Sequence, residues 1–306
     1  MRERDLIARL LAPLATSATA RGLADDAAVF APPIGRDLVF THDILASGVH
    51  YLPGDPPSDV AWKLLAVNLS DLAAMGARPI GVVLGLGLST GEDEAWVTAF
   101  ASGLARAMDR WGVALWGGDT VSGLAAAVLG LTAIGQVERG AALARSGARP
   151  GDAIWVSGTI GDAGLGLAIA NGEAAPDKYL LARYRRPEPR LALGRALAGV
   201  ATAAMDVSDG LLIDAERLAA ASGVAVTVDL ALVPVSAAAA ARVARDDAGL
   251  AGLASAGDDY ELLFTLPPGV TVAGATRVGA VAAGAGLTVI GLDGRSFVPG
   301  RLGYEH

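Results

Sequence analysis

The chain contains no cysteine, and lysine occurs only at Lys63 and Lys178. Without a thiol there can be no disulfide, zinc–thiolate site, iron–sulfur cluster or cysteine nucleophile. The net charge is −8 and no run of Lys or Arg forms a basic stripe, so we expect no nucleic-acid partner. Neither G-x-x-x-x-G-K-[ST] nor an H-R-D loop is present, which argues against P-loop and protein-kinase architectures.

Long hydrophobic runs are also missing. Uncharged apolar stretches such as 124–135 fall well short of the about 18 residues that span a bilayer. Near the N-terminus, Asp5 and Arg9 interrupt the apolar stretch, and the spacing predicts an amphipathic first helix rather than a signal peptide. We therefore expect a cytoplasmic protein with no membrane partner.

The composition that remains is globular. With 306 residues, 53% hydrophobic and 18% charged, the chain can form about two domains. Strand and helix patterns alternate in both halves, which is typical of α/β layers. The polar, Gly-rich stretch 138–152 predicts a boundary, so the expected domains are 1–137 and 138–306.

Local patterns predict most of the elements. In the first half we expect a hairpin with its turn at 32–36, a helix over 58–76, a strand at 80–89, a helix at about 92–111 and a strand at 124–137. In the second half we expect strands at 153–158, 224–229, 259–266 and 277–282, and helices from about 162, at 188–199, from about 209 and at 236–245.

Carboxylates at the ends of these elements are the candidate functional groups. A hairpin turn at Ile34–Gly35 places Asp26 opposite Asp43, and two opposed acids are destabilising unless a cation lies between them. The alternative is that both residues are solvated loop ends. On the helix over 58–76, Asn68 and Asp71 lie on or at the edge of an apolar stripe, and a buried Asp71 would need a cation or a basic partner. The alternative is a surface-edge Asp in a longer polar flank.

Two further stretches carry acids next to glycine or serine. In "WGGDT", Gly118 allows close approach to a ligand beside Asp119, although Gly-Asp is also an ordinary turn. In "MDVSDGLL", we predict that Ser208 caps a helix whose first turn suits a phosphate, with Asp206 and Asp209 suited to a divalent cation. A plain capping serine with a dipole-complementing Asp209 is the alternative, but it leaves Asp206 unexplained.

Taken together, these acids have no cluster of His or Cys beside them. Hard oxygen ligands favour Mg²⁺ over zinc, and a polyphosphate held by several Mg²⁺ ions needs such a set. The prediction is a site for a polyphosphate and several Mg²⁺ ions that draws acids from both halves of the chain.

Six stretches resemble one family. "GLADDAAVF", "DPPSDVAWKLLAVNLSDLAAMGARP", "WGGDT", "ALARSGARPGD", "MDVSDGLLIDAERLA" and "AGDDYELLF" are similar, in order and spacing, to the thiamine-monophosphate kinase family of the aminoimidazole-ribonucleotide synthetase superfamily. The resemblance implies a two-domain α/β fold that dimerises through its N-terminal sheet. The first domain would then carry the Mg–ATP site, and the second would complete the ATP and substrate site.

The resemblance also implies the reaction, the phosphorylation of thiamine monophosphate by ATP, and its residues. The positions matched to Mg²⁺ ligands are Asp26, His42, Asp43, Asp71, Asp119, Asp206 and Asp209. Those matched to ATP contacts are Gly118, Asp119, Arg145 and Ser208, and those matched to thiamine-phosphate contacts are His50, Asp258 and Tyr304. His42 stands where the family usually has Ser or Thr, and Asp258 stands where it usually has Glu.

The acceptor of that reaction is an anionic phosphate oxygen, so no residue has to remove a proton from it. We therefore expect direct in-line transfer without a catalytic nucleophile. The alternatives are another ATP-using member of the superfamily, a nucleotide-binding regulatory protein that has lost catalysis, and a Mg²⁺-dependent phosphohydrolase.

Overall fold

A computed structural model describes residues 3–305. Contact clustering divides the chain into two units, the first running to Leu72 and resuming at Ala77–Gly140, the second comprising Ala73–Gly76 and the chain from Ala141 onward. The expected two-domain α/β organisation is thus what the structure contains. No helix in the described part of the chain is long and apolar enough to cross a membrane.

The first unit is built on a four-stranded sheet in the order β1-β4-β2-β3. Strands β2 and β3 are parallel, and the other neighbours are antiparallel. The strands are β1 (Arg36–Ala46), β2 (Arg78–Ser89), β3 (Leu115–Leu124) and β4 (Val128–Glu138); the helices are α1 (Glu3–Leu6), α2 (Pro57–Ala74, which runs into the second unit) and α3 (Glu94–Trp111).

The two long helices form where their sequences predict. Almost every residue of α2 from Val60 to Ser70 is buried, as expected of a helix that is apolar around most of its circumference. It ends at Ala74, and Gly76, with a φ of 69°, gives the left-handed turn that follows. Helix α3 begins at its cap Asp93, whose carboxylate accepts a hydrogen bond from the Trp96 N–H at 2.8 Å. The Gly103 position on α3 then comes so close to the Ser58 backbone that a Cβ would lie 2.4 Å from it.

Only one face of this sheet is covered by its helices. On the other face Phe40 is 62% exposed and Ile44 49% exposed. The strand register places Val83, Val121 and Val128 on the same face, and they are also exposed. Several positions of β2 and β4 on this face are glycine, which leaves the surface shallow.

Two predictions for residues 3–35 are wrong. The start of the described chain is not one amphipathic helix but α1 followed by a π-helical turn (Ile7–Leu11) and 3₁₀ turns (Ala12–Leu14, Ala18–Leu23). Left-handed φ angles at Arg21 and Leu23 break the helical path.

The hairpin is also absent, because residues 24–35 form no strand. Phe30 instead stacks on Trp116 of β3, with ring centroids 5.0 Å apart, at the sheet edge opposite β1. Asp26 therefore does not face Asp43, whose partner across the ladder is Leu131.

The second unit contains a seven-stranded sheet in the order β11-β10-β7-β9-β5-β8-β6, in which only β7 and β10 pair in parallel. Its strands are β5 (Ala153–Ser157), β6 (Ala203–Val207), β7 (Ala225–Asp229), β8 (Glu261–Leu266), β9 (Ala275–Ala282), β10 (Gly286–Ile290) and β11 (Ser296–Phe297). Its helices are α4 (Asp162–Ala170), α5 (Lys178–Arg185), α6 (Leu191–Leu197), α7 (Leu211–Ser222), α8 (Ala237–Ala240) and α9 (Asp247–Ala254), with a 3₁₀ turn (Leu230–Leu232).

The expected strands and helices of this half are present, but their extents differ. The Ala-rich helix expected at 236–245 stops at Ala240, and the chain restarts as α9, whose cap Asp246 accepts the Gly249 N–H at 2.8 Å. Alanine favours a helix without supplying a large apolar face to hold a long one. Strands β10 and β11 lie in a Gly-rich segment whose pattern is too short to predict them.

Candidate functional site

A pair of acidic side chains lies between β1 and α2. Strand alternation directs Thr41 and Asp43 toward the same side of β1 as the buried Leu45. The Thr41 hydroxyl donates a hydrogen bond to an Asp71 carboxylate oxygen. The fully buried Asn68 accepts the Asp43 N–H at 3.1 Å and donates to the Leu64 carbonyl at 2.9 Å. Asn68 therefore ties β1 to α2 and fixes where Asp43 lies.

Electrostatics set this pair apart from an ordinary surface pair. Burial, together with repulsion from Asp71, raises the pKa of Asp43 from 3.8 to about 6. A divalent cation would remove both penalties by compensating the two charges. Carboxylate and hydroxyl oxygens are the donors that Mg²⁺ prefers, so the residues present fit a magnesium ion.

A second group of predicted residues lines one cavity in the first unit. The cavity has a volume of about 250 Å³, and Asp25, Asp26, Gly118 and Asp119 are among its lining residues. Asp25 forms an ion pair with Arg21 at 2.5 Å. The structure thus brings Asp26 together with Gly118 and Asp119, and Trp116 closes one side of the cavity.

The segment "WGGDT" is part of β3 and not the predicted break between an apolar segment and a loop. Gly118 pairs with Leu84 of β2, and a Cβ at Gly118 would lie 2.1 Å from the Leu84 carbonyl oxygen. A glycine is therefore required here by strand packing. Asp119 is exposed and accepts the Thr120 N–H at 2.8 Å.

The two histidines among the predicted residues are placed differently. The His42 ring hydrogen-bonds Thr132 at 2.9 Å and lies beside Gly130, on the open face of the sheet and away from the side to which Asp43 points. Only its main chain is near the acidic pair. His50 accepts the Ala46 N–H at Nδ1, 3.1 Å away, so its neutral ring carries the proton on Nε2. The buried Lys63 donates to the His50 carbonyl at 3.0 Å.

In the second unit, the chain between β6 and α7 carries three predicted residues. Asp206 is buried at the end of β6. The N–H groups of Ser208 and Asp209 both donate to Asp214, each at 3.1 Å. Arg217 donates to Asp209 and, at 2.9 Å, to Asp214. The pKa of Asp214 is raised to about 6, and burial is the largest of the several effects on that carboxyl.

The predicted cap at Ser208 is wrong. Helix α7 begins after Gly210, whose φ of 128° breaks the helical path. The N-cap position is therefore Gly210 itself, which has no side chain to cap the helix. The first amides of the turn are bound instead by Asp214, a residue on the helix itself, because its carboxylate reaches back to them. The side chain of Ser208 is thus available to a ligand rather than committed to a cap.

Three more predicted residues lie on segments that converge near this turn. The Asp258 N–H donates to the Ser208 carbonyl at 2.7 Å, and the Tyr304 N–H donates to the Asp209 carbonyl at 2.9 Å. The Tyr304 ring is half exposed. Arg145 is exposed, and the Ala144 carbonyl next to it accepts the Ala204 N–H at 2.8 Å, so this segment runs beside β6.

Sequence reasoning missed a buried ionic network in the same unit. Glu261 is fully buried and accepts hydrogen bonds from Ser157 at 2.5 Å, from Arg183 at 2.9 Å and from two nitrogens of Arg190, one of them at 2.6 Å. Arg183 also lies 3.7 Å from Asp162. The one local signal is Asp162 in "GDAG", an acid at the predicted start of a helix near 162.

Within residues 3–305, no group of three or more acidic, His or Cys side chains is arranged to hold a metal ion. The predicted acidic ligands of the first unit occur as the Asp43–Asp71 pair and as the Asp26 and Asp119 carboxylates along the cavity. A cation bound at either place would need further oxygens from its ligand, as Mg²⁺ bound to a polyphosphate commonly has.

Comparison with known proteins fits this architecture. Residues 24–137 match the N-terminal domain, and residues 149–291 the C-terminal domain, of AIR synthase related proteins. The sheets, the domain pair and the acidic loops therefore define a two-domain protein of that class.

Closer relatives narrow the class to one family. The chain is 44% identical to the thiamine-monophosphate kinase of Caulobacter vibrioides, covering 99% of this chain and 90% of that protein. It is 42% identical, with a TM-score of 0.81, to the crystal structure of thiamine-monophosphate kinase from Stenotrophomonas maltophilia K279a, covering 90% and 91% of the two chains. AaThiL, solved with AMPPCP and TMP, is 30% identical with a TM-score of 0.81 over 92% and 91%. The chain belongs to the thiamine-monophosphate kinase family.

Proposed function

We propose that this protein transfers the γ-phosphoryl group of ATP to thiamine monophosphate, giving ADP and thiamine diphosphate, in the cytoplasm where ATP is available. The observation that carries the proposal is the Asp43–Asp71 pair, two half-buried acids for which a bound cation would offset the cost of burial and of their mutual repulsion. The 30% identical AaThiL is complexed with AMPPCP, an ATP analogue, and TMP.

Magnesium would be held first by Asp43 and Asp71, with the main chain of His42 next to them. Asp26 and Asp119 would supply oxygens at the cavity, and Asp206 and Asp209 would do so in the second unit. When bound, Mg²⁺ would neutralise phosphate charge and orient the γ-phosphoryl group.

The remaining predicted residues are proposed as ligand contacts. Gly118, Asp119, Arg145 and Ser208 would contact ATP, with the Arg145 guanidinium balancing phosphate charge. His50, Asp258 and Tyr304 would contact thiamine monophosphate. The Nε2 proton of His50 suits a phosphate oxygen, and the half-exposed Tyr304 ring suits an aromatic ring of the acceptor.

The central experiment measures thiamine diphosphate by chromatography after incubation with ATP and thiamine monophosphate, with and without Mg²⁺. We expect product only when all three are present. Formylglycinamidine ribonucleotide is the control acceptor. Turnover with that control alone, phosphate release without any acceptor, or ATP binding without product would each reject the proposal in favour of a different activity.

Direct transfer also predicts the result of a second experiment on the same preparation. Because the acceptor oxygen is already anionic, the side chains need only position two phosphates and screen their charge. We expect no labelled protein after incubation with γ-labelled ATP in the absence of acceptor. A labelled residue that passes its phosphate to thiamine monophosphate would contradict in-line transfer.

We also propose that the open sheet face of the first unit joins two copies of the chain. Its exposed residues are apolar and uncharged at Phe40, Ile44, Val83 and Val121, and the glycines between them permit close approach of a flat partner. Light scattering should give twice the mass of the chain. Phe40→Asp with Ile44→Asp should give monomers, whereas Leu292→Asp, at an exposed leucine of the second unit, should not. Unchanged dimers in the double variant would place the interface elsewhere.

A further inference from the structure

The loop between α9 and β8 adopts an unusual backbone. Asp258 has a φ of 69° and Tyr260 a φ of 50°, and both are L-residues with side chains. The left-handed conformation costs about 1–2 kcal/mol for such a residue, and it persists only where the surroundings enforce it. Asp259 lies between them and is 1% exposed.

The Asp259 carboxylate is the anchor of this loop. Its two oxygens accept the Gly161 N–H at 2.6 Å and the Ala163 N–H at 3.2 Å, both at the start of α4. Its carbonyl accepts a hydrogen bond from Arg183 at 3.3 Å, and Arg183 is itself bound to Glu261. Asp259 is too deeply buried to touch a substrate, so any effect that it has on the reaction must act through its neighbours.

Those neighbours are oriented by the anchored backbone. The Asp258 N–H donates to Ser208 at 2.7 Å, and the Tyr260 N–H donates to Val207 at 2.8 Å. The Tyr260 hydroxyl donates to an Asp258 carboxylate oxygen at 3.1 Å. The facing turn at Ser208 has a second restraint of its own, because the Ser208 N–H donates to Asp214 at 3.1 Å. One buried acid thus fixes each of the two loops.

We infer that Asp259 is a positioning residue that, together with the Tyr260 hydroxyl, aims the Asp258 carboxylate at the phosphoryl acceptor. This inference rests on the proposed function, in which Asp258 contacts thiamine monophosphate. In this inference the strained loop at 258–260 serves the binding of thiamine monophosphate. The turn at Ser208, which Asp214 holds, serves the binding of ATP.

The test separates the kinetic constants of the two substrates. In Asp259→Asn the amide NH₂ cannot accept one of the two backbone N–H bonds, so the loop loses a restraint. We expect the KM for thiamine monophosphate to rise about tenfold, the loss of about 1.4 kcal/mol of binding, with kcat and the KM for ATP within about twofold of wild type. Tyr260→Phe removes only the hydroxyl and should raise the same KM about threefold.

Asp177→Asn is the matched control. Asp177 also accepts two backbone N–H groups, from Tyr179 at 2.9 Å and Leu180 at 3.1 Å, but at the start of α5. It should lower Tm without changing either KM. The inference would be overturned if Asp259→Asn lowered activity only in proportion to the loss of folded protein, with no selective rise in the KM for thiamine monophosphate. Asp259 would then be merely structural.

If Asp259→Asn does not fold, Tyr260→Phe decides, because an unchanged acceptor KM in that variant also overturns the inference. Failure of the proposed function is a different outcome. Wild-type protein that forms no thiamine diphosphate would reject the function and the acceptor role together, whereas active wild type with unchanged KM values in both variants rejects only the positioning role.

Discussion

Both units bury carboxylates, but they compensate the charge in opposite ways. In the second unit, the fully buried Glu261 is bound by Arg183 and Arg190. In the first unit, burial and the nearby Asp71 both raise the pKa of Asp43. A buried acid with arginines at bonding distance already has its counter-charge. Two acids that repel each other have a site for a cation instead.

The comparison teaches which acids serve the fold and which serve the ligand. Removing an acid from the arginine network should remove stability. Removing one from the repelling pair should remove activity and leave the fold as stable or more so.

The largest expected effect is on turnover, in Asp71→Asn. The variant keeps an oxygen to accept the Thr41 hydrogen bond but loses a charge that the cation requires. We expect kcat to fall at least about a hundredfold, as when an electrostatic group at a reacting phosphate is removed. Tm measured in EDTA should not fall. The assay is thiamine diphosphate formation at saturating ATP and Mg²⁺.

Asp109→Asn, an exposed acid on α3, is the control for charge alone and should leave kcat unchanged. Substantial turnover in Asp71→Asn, or a loss of Tm equal to the loss of activity, would remove Asp71 from the set of metal ligands.

The next effect is on stability, in Glu261→Gln. The substitution leaves Arg183 and Arg190 without their buried counter-charge, and breaking a buried pair in this way costs about 3–5 kcal/mol. We expect a loss of Tm of about 10 °C in thermal unfolding, with kcat per folded molecule nearly retained. A stable Glu261→Gln would show that the arginines are satisfied by solvent.

Asp43→Asn should act in the opposite direction and by less. The pKa of Asp43 is raised from 3.8 to about 6, so the folded state holds its proton more tightly than the unfolded chain. The stability that this bound proton adds to the folded state is fully present below pH 3.8 and is lost as the pH rises to about 6. Without Mg²⁺, Asn should therefore stabilise the protein at pH 7, by on the order of 1–3 kcal/mol.

Urea unfolding in EDTA at pH 7 and at pH 4 measures this difference. The gain in the Asn variant should shrink at the lower pH, where the wild-type carboxyl is largely protonated. With Mg²⁺ at pH 7, wild type should become more stable than Asp43→Asn, because only wild type can bind the ion with both acids. Equal stability of the two proteins at both pH values would show that the pair carries no electrostatic strain.

Much of this contrast could be predicted from the sequence. The apolar surroundings of Asp71 indicated a buried acid, and the element bounds of α2, β2 and α3 follow from local periodicity and capping. The failures came from contacts between distant residues. Stacking of Phe30 on Trp116 draws the predicted first hairpin strand to the other sheet edge, and nothing local records that contact.

The arginine network was missed for a similar reason. Ser157 and Glu261 are far apart in the chain, and their hydrogen bond exists only because β5 and β8 are neighbours in the sheet. Asp214 displaced Ser208 as the group that binds the first amides of the turn, because a carboxylate reaching back from the helix can accept both N–H groups. A capping pattern in the sequence identifies the turn but not which side chain satisfies it.

The smallest expected effect belongs to Thr41, which touches the repelling pair without carrying charge. Its hydroxyl donates to Asp71, so Thr41→Val keeps the shape of the side chain while freeing the carboxylate to rotate. We expect the Mg²⁺ concentration at half-maximal rate to rise about tenfold, which is about 1.4 kcal/mol and close to the lower end for one hydrogen bond to a charged group, with Tm in EDTA little changed. Thr41→Ser retains the hydroxyl and should retain the wild-type Mg²⁺ dependence. If Thr41→Val and Thr41→Ser show the same Mg²⁺ dependence, Asp71 is oriented by α2 alone. The two units would then differ only in the charge beside their acids and not in the hydrogen bonds that hold those acids.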